Sequence, residues 1–168
     1  MTSLYLLDTN IFIQANRVSY PIEVFPGFWE WLEQKNQQGL VKSIKPVYEE
    51  LIDGNDILAD WAKDRNSQDW FLSVDDPDTQ TAFGKIANWL MAQNQKYKEA
   101  VISDFLQGAD PWLIAKAMSS NAHIVTHESN DPSNRKKVLI PVVCAVFDVK
   151  TMNTMDLMRL THARFGLK

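Results

Sequence analysis

Four acidic residues stand at the ends of segments that the sequence predicts to be strands or helices. Asp8 follows an apolar run at residues 4–7, and Glu128 comes shortly after another apolar run. Glu50 lies in a predicted helix, and Asp110 begins one. Carboxylates that meet without a cation repel one another, whereas hard cations such as Mg²⁺ prefer oxygen ligands. If the four side chains meet, a divalent metal site is the simplest explanation.

Alternating strands and helices would position these acids. The run at residues 4–7 is continuously apolar, which is typical of a strand buried on both faces of a parallel sheet. Because helices connect parallel strands, the alternation predicts an α/β fold, a three-layer α/β/α sandwich with a central, mainly parallel sheet. Sites in such sheets form beyond the carboxyl ends of the strands. Strands are predicted at residues 4–7, 40–44, 70–74, 122–126 and 149–152.

Helices are predicted in most of the segments between these strands. Residues 11–13 either continue the first strand or begin a helix that is capped by Asp8, Thr9 or Asn10. The other predicted helices lie at residues 28–39, 46–53, 57–63, 112–120, 142–147 and 154–165, with a continuous or broken helical stretch at 79–106.

Composition is typical of a folded protein without disulfides. The 168 residues are 45% hydrophobic and include eight Phe and six Trp, which predicts one domain over residues 1–168. No apolar run approaches the roughly 20 residues of a membrane span, and the N-terminus lacks the basic segment of a secretory signal, so we expect a cytoplasmic protein. The single cysteine, Cys144, excludes an intramolecular disulfide or a cysteine-bound metal cluster.

Charge restricts the kind of nucleic-acid contact to be expected. The net charge of −4 argues against long, sequence-tolerant tracking along DNA. It does not exclude a nucleic-acid substrate, because bound cations would offset a carboxylate cluster. The basic run at residues 135–137 is interpreted as a solvated loop rather than a binding patch. Lys116 is among the cations in segments that adjoin the acids.

Four segments resemble, in order, the motifs of PIN-domain proteins, a family of metal-dependent nucleases. The acidic residues of those motifs map onto Asp8, Glu50, Asp110 and Glu128. The resemblance extends over about residues 4–152 and is to small stand-alone members such as VapC-type toxins. The matching segments are LYLLDTNIFI (residues 4–13), VYEEL (47–51), ADPWLIAKA (109–117) and IVTHES (124–129).

Two departures from the family pattern indicate a divergent member. The fourth acid of the family is more usually Asp, and Glu128 has a longer reach that would alter a second metal position. The loop at residues 129–137 lacks the usual continuation of an aspartate and an aromatic residue, for which Asp131 could substitute.

The resemblance implies an endoribonuclease that hydrolyses RNA phosphodiester bonds with Mg²⁺ or Mn²⁺. It implies that Asp8 binds the principal ion, with Glu50 and Asp110 completing an acidic ring. Glu128 would orient the attacking water or help to hold a second ion. Further candidates, as supports of the ligands, an additional ligand or substrate contacts, are Asn10, Thr126, Asp104, Asp131 and Lys116.

Each acid also has an ordinary structural interpretation. Asp8 and Asp110 could cap helices, and Glu128 could be a loop carboxylate. Glu49 and Glu50 lie similarly beside the apolar stripe of their predicted helix, so periodicity does not choose between them, and only the resemblance selects Glu50. The joint pattern favours a site.

Small PIN proteins are often toxins of bacterial toxin–antitoxin pairs, so the resemblance implies an antitoxin partner and allows a homodimer. Three alternatives stay open: a DNA or structure-specific nuclease, an RNA-processing factor, and a catalytically inactive PIN-like binding or scaffold module. A phosphotransfer domain with Asp8 as nucleophile is disfavoured, because such domains need a second Asp where Asn10 stands.

Overall fold

The computed structural model describes residues 3–167, in which five parallel strands form one sheet. The central strand is β1 (Tyr5–Leu7), whose three consecutive residues are all buried. Since successive side chains of a strand point to opposite faces, helices must cover the sheet on both sides. The other strands are β2 (Val41–Ile44), β3 (Phe71–Leu72), β4 (His123–Val125) and β5 (Thr151–Met152), in the order β3-β2-β1-β4-β5.

Helices flank this sheet and confirm the predicted three-layer α/β/α sandwich. Within residues 3–167, none of them has the length and apolar character that crossing a bilayer requires. A π-helical turn, Ala15–Ser19, continues the first helix. The helices are α1 (Thr9–Gln14), α2 (Pro26–Gln37), α3 (Lys45–Asp53), α4 (Ile57–Lys63), α5 (Pro77–Met91), α6 (Glu99–Gln107), α7 (Asp110–Ser120), α8 (Ile140–Val146) and α9 (Thr154–Leu160).

An aromatic cluster fixes the position of α1 directly after the first strand. Phe12 on α1 is fully buried and packs against Trp61, with ring centroids 5.7 Å apart. Trp61 also lies against Trp29 and Trp70, at 5.1 and 5.2 Å. Aromatic pairs at such distances add to the stabilisation from buried area. The chain segment that carries Asp8 is therefore anchored on both sides, by β1 and by Phe12.

The structure decides two segments that the sequence left open, and it corrects the end of the last helix. Residues 11–13 belong to a helix, α1, rather than to the first strand, and the helical stretch at 79–106 is broken into α5 and α6. The segment between the two helices buries Tyr97, which is 2% exposed. Because packing of this side chain rather than a helix-breaking residue explains the break, no Gly or Pro at residues 92–98 marks it in the sequence. The last helix ends at Leu160 rather than near residue 165. There the Thr161 hydroxyl donates to the Leu157 carbonyl, and the backbone then becomes left-handed.

Candidate active site

Asp8 lies directly after the central strand and is 2% exposed. Its backbone N–H donates to the Val125 carbonyl of the neighbouring strand at 3.0 Å. The Thr126 hydroxyl donates to Asp8 Oδ2 at 3.1 Å. Asp8 occupies the N-cap position of α1, yet within the described chain its side chain accepts no capping hydrogen bond. The helix-cap interpretation of Asp8 is therefore not supported.

Glu128 is held beside Asp8 by the same threonine. The Thr126 hydroxyl oxygen accepts a hydrogen bond from the Glu128 N–H at 3.1 Å. The Glu128 side chain is only 10% exposed, and neither carboxylate oxygen has a hydrogen-bond partner among residues 3–167. Lys137 Nζ lies 3.6 Å from Glu128 Oε2. A buried carboxylate without hydrogen bonds is costly, so this group fits a site that receives a cation.

Glu50 connects the chain segments that carry two of the other acids. Its Oε2 accepts a hydrogen bond from the Thr9 hydroxyl at 2.6 Å, and its Oε1 accepts one from the Ala109 N–H at 3.0 Å. Thr9 directly follows Asp8, and Ala109 directly precedes Asp110. The structure thus selects Glu50, on α3, as the acid that faces the site.

Asp110 is the first residue of α7, and Ala109 occupies the N-cap position. The pKa of Asp110 is raised to about 8, first by burial and then by the Asp8, Glu128 and Glu50 carboxylates in that order. Burial likewise raises the pKa of Asp8 to about 6, with Glu128 as the next largest cause. Like charges at short range have this effect. All four predicted acids therefore lie close enough to influence one another, which is typical of functional sites.

A cavity of about 470 Å³ is lined by three of these acids, Asp8, Glu50 and Asp110, but not by Glu128. Apolar side chains such as Ile13 and Phe105 form part of its wall. Asn10 and Asp104, two of the predicted supporting residues, also line it, and both are exposed. The charged residues that line the cavity are Asp8, Glu50, Asp104, Asp110, Lys136 and Lys137.

The donors around this cavity fit a hydrated, hard divalent cation better than a transition-metal cage. They are carboxylate oxygens, the ligand type of Mg²⁺ and Mn²⁺. Across residues 3–167, no three His, Cys, Asp or Glu side chains are arranged as a ready-made ligand set. Mg²⁺ is commonly bound through one or two carboxylates, with waters and substrate phosphates as its other ligands. The Glu128 carboxylate, buried without a hydrogen bond from residues 3–167, is a group whose charge such an ion would compensate.

Three residues lie away from the cavity, and two of them, Lys116 and Asp131, were candidates from the sequence. Lys116 Nζ pairs with Asp76 Oδ1 at 2.9 Å, a contact that joins α7 to α5. Asp131 accepts hydrogen bonds from the Ser133 N–H and hydroxyl within its own loop. Trp112 stacks on Phe83, with ring centroids 4.0 Å apart. The cations at the cavity come instead from the basic run, which the sequence alone indicated to be a solvated loop.

Thr9 and Lys137 are site residues that sequence reasoning missed. Thr9 was visible within the Asp8-Thr9-Asn10 triplet, but its hydrogen bond to Glu50 joins residues that are 41 positions apart. The loop that carries Lys137 is turned back by Asn134, whose side-chain oxygen accepts from the Lys136 and Lys137 N–H groups. Because Asn side chains often accept hydrogen bonds from the backbone of a turn, Asn134 was the residue that could have predicted the turn before Lys137.

Comparisons with known proteins agree with this architecture. A chain of VapBC2 from Rickettsia felis, crystallised with a DNA fragment from the promoter of that pair, has a similar fold with a TM-score of 0.54. The match has 14% sequence identity and covers 89% of this chain and 98% of that chain, which supports the PIN-like fold. No curated protein sequence gives a significant match. The family described as a domain of unknown function, DUF4411, matches residues 5–165, and the chain belongs to this family.

Proposed function

We propose that this protein is an endoribonuclease that uses Mg²⁺ or Mn²⁺ held by Asp8, Glu50, Asp110 and Glu128. The observation that carries the proposal is the meeting of these four carboxylates, from four separate chain segments, at one edge of the parallel sheet. Two of them have pKa values well above 3.8 because of burial and mutual repulsion. A fold keeps such an arrangement when a bound cation offsets the repulsion.

Each acid has its own part in this proposal. Asp8, the most deeply buried, would bind the principal ion, with Glu50 and Asp110 completing the ring. Glu128 would orient the attacking water or help to hold a second ion. A divalent cation supplies the site with two effects: it lowers the pKa of water, and it stabilises negative charge on the scissile phosphate.

Neighbouring groups hold these carboxylates in place. Thr126 holds Asp8 and the backbone of Glu128, while Thr9 and the Ala109 N–H hold Glu50. Hydrogen bonds of this kind orient ligands and are often as important as the ligands themselves. Asn10, exposed at the cavity wall, would contact substrate rather than support the acids.

RNA fits this cavity through its phosphates. Lys136 and Lys137 provide positive charge at the wall, and contacts to phosphate give affinity without sequence preference. The similar fold in a VapBC complex supports a role as the toxin of a toxin–antitoxin pair, with an antitoxin that occludes the acidic cavity. In this proposal residues 1–168 act as one PIN-like domain.

A second candidate is a binding or scaffold module without catalytic activity. It is favoured by the absence of a ready-made set of three ligands within residues 3–167, and by the pairing of Glu128 with Lys137. This candidate predicts RNA or protein binding without metal-dependent cleavage.

Cleavage of a mixed RNA panel in Mg²⁺, Mn²⁺ or EDTA tests the proposal. Glu50→Gln should reduce cleavage by about 100-fold or more, because several kcal/mol of transition-state stabilisation correspond to that factor. Glu49→Gln is the matched control. Glu49 is the adjacent exposed acid on the same helix, and its substitution should leave cleavage unchanged. Equal activity of the two variants, or no cleavage by the wild type in either metal, would favour the binding module.

A further inference from the structure

The Glu128 carboxylate, beside Asp8, is buried without a hydrogen bond from any described residue. Its two oxygens are inaccessible to solvent and have no hydrogen-bond partner among the described residues. Asp8 has Thr126, and Glu50 has Thr9 and the Ala109 N–H. A buried charge needs compensation, and among residues 3–167 the group that supplies it to Glu128 is the partner in an ion pair.

That ion pair is made with Lys137. The distance from Lys137 Nζ to Glu128 Oε2 is 3.6 Å, which is close for an ion pair but too long for a hydrogen bond. The Lys137 side chain is 54% exposed, so its ammonium group keeps most of its water. The contact compensates Glu128 without engaging it fully, which leaves Lys137 easy to displace.

The backbone holds Lys137 at this place. Its N–H donates to Asn134 Oδ1 at 3.0 Å, and the next residue, Val138, is 1% exposed in the core. Lys136 shares the turn, since its N–H donates to the same oxygen at 2.9 Å, and it lines the same cavity. It makes no ion pair within residues 3–167. The two neighbouring lysines therefore differ in the contact to Glu128.

We propose that Lys137 is a built-in counter-ion that competes with the divalent cation for Glu128. In the ion-free protein the Lys137 ammonium offsets the Glu128 charge across 3.6 Å; cation binding displaces the ammonium toward the open cavity. This inference rests on the proposed metal site and adds to it a positioning residue that lowers cation affinity. The loop thereby keeps the ion-free acidic site stable.

Calorimetric titration with Mn²⁺ tests this competition. Lys137→Met should bind Mn²⁺ about three- to fivefold more tightly than the wild type, the range expected for loss of a partly exposed ion pair. Lys136→Met, which removes a nearby charge without removing the pair, should change affinity by less than about twofold. Lys137→Arg, which keeps the charge, should bind as the wild type does. Equal gains in the two Met variants would overturn the inference, because general electrostatics would then explain both.

A double-mutant cycle locates the competition at Glu128. In a Glu128→Gln background, Lys137→Met should give a clearly smaller gain in Mn²⁺ affinity than in the wild type, since the competing carboxylate is gone and only the charge effect of Lys137 on Asp8 and Asp110 remains. A full gain that persists in that background would show that Lys137 does not act through Glu128. Thermal unfolding in EDTA gives a second readout. Lys137→Met should be less stable than Lys136→Met, and saturating Mn²⁺ should remove the difference.

These titrations separate failure of the inference from failure of the proposed function. If the wild type binds Mn²⁺ and all lysine variants match it, only the Lys137 inference falls. If the wild type binds no Mn²⁺, the metal site and the inference both fall. If the titrations agree with expectation but no RNA is cleaved, the competition stands and the nuclease proposal falls.

Discussion

Asp8 and Asp76 occupy the same position relative to a helix but have opposite electrostatic environments. Each precedes the first helical residue with an extended backbone, at φ −66° and ψ 151° for Asp8 and at φ −67° and ψ 149° for Asp76. Asp76 accepts the capping hydrogen bond from the Thr79 N–H, and its pairing with Lys116 lowers its pKa to about 2. Asp8 accepts no such bond in the described chain, and burial raises its pKa to about 6.

The comparison shows that backbone geometry does not decide what a helix-start aspartate does. A threonine hydroxyl donates to both carboxylates, Thr79 to Asp76 and Thr126 to Asp8. Only for Asp8 do other carboxylates, those of Glu128 and Glu50, raise the pKa. Asp76 stabilises its helix, whereas Asp8 leaves α1 uncapped and raises local repulsion. Local rules often fail where function requires a different arrangement, and the proposed metal site would make Asp8 such a position.

The largest expected difference between the two aspartates is in RNA cleavage. Asp8→Asn should lower metal-dependent cleavage by about 100-fold or more, since it removes the central carboxylate of the site. Asp76→Asn should leave the rate per folded molecule unchanged. Initial rates on one RNA substrate, corrected for the folded fraction, check this. Comparable losses in the two variants would remove the distinction between them.

The pH dependence of the free energy of unfolding should be determined by Asp8 and Asp110 at the cavity rather than by the helix cap Asp76. The pKa values of Asp8 and Asp110 are raised from 3.8 to about 6 and about 8, so the native protein binds more protons than the unfolded chain in this window. The free energy of unfolding should therefore fall as pH rises from about 4 to 8, by at least about 3 kcal/mol, since the Asp8 shift alone corresponds to about that much.

Urea denaturation in EDTA at several pH values measures this dependence. Combining Asp8→Asn with Asp110→Asn should flatten the profile. A wild-type stability that rises between pH 5 and 8 would contradict the account. Saturating Mg²⁺ should also flatten the profile, because the ion offsets the carboxylate repulsion.

The two threonines should separate into one that supports activity and one that supports stability. Thr126→Val removes the hydroxyl that orients Asp8 and should lower cleavage by about tenfold, as expected for a group that holds a ligand. Thr79→Val removes a hydrogen bond to Asp76 and should lower the free energy of unfolding by about 1 kcal/mol without changing cleavage. The cleavage rate and the free energy of unfolding should be measured for both variants. Reduced cleavage in Thr79→Val, or unchanged cleavage in Thr126→Val, would contradict this assignment.

The smallest expected effect is on the free energy of unfolding, which the same Asp→Asn substitution should change in opposite directions at the two positions. Asp76→Asn should lower the free energy of unfolding by about 1 kcal/mol, because the charged cap and the Lys116 pair are weakened. Asp8→Asn, measured in EDTA at pH 8, should raise it by about 1 kcal/mol, because a buried repelled charge is removed. Denaturation of both variants under the same conditions checks this. Destabilisation by both substitutions would indicate that Asp8 is a structural residue.

The sequence was most informative where local signals were strong. The bounds of α4 agree with prediction, and those of α3 differ by one residue. The signals were a proline in the first turn of α3 and an apolar stripe along each helix. The continuous apolar run predicted β1 as a buried parallel strand, which the burial of Tyr5–Leu7 confirms. Strand β3 is shorter than residues 70–74, because pairing with β2 involves only two of its residues.

Contacts between distant residues explain what the sequence could not predict. The choice between Glu49 and Glu50 depends on hydrogen bonds to Thr9 and Ala109, which lie 41 and 59 positions from Glu50. No sequence pattern predicts the pairing of Lys116 with Asp76. Tertiary packing decides these contacts. Helical periodicity alone is compatible with several side chains facing the same site.

The account depends most directly on whether the cluster around Asp8 binds a divalent cation. Equilibrium titration of Mn²⁺ into the wild type, Asp8→Asn and Asp76→Asn tests it. We expect saturable binding in the wild type and in Asp76→Asn, and loss of at least about tenfold in affinity in Asp8→Asn. Mn²⁺ binding of equal strength in all three proteins, or in none, would contradict the assignment of this cavity as a metal-dependent active site.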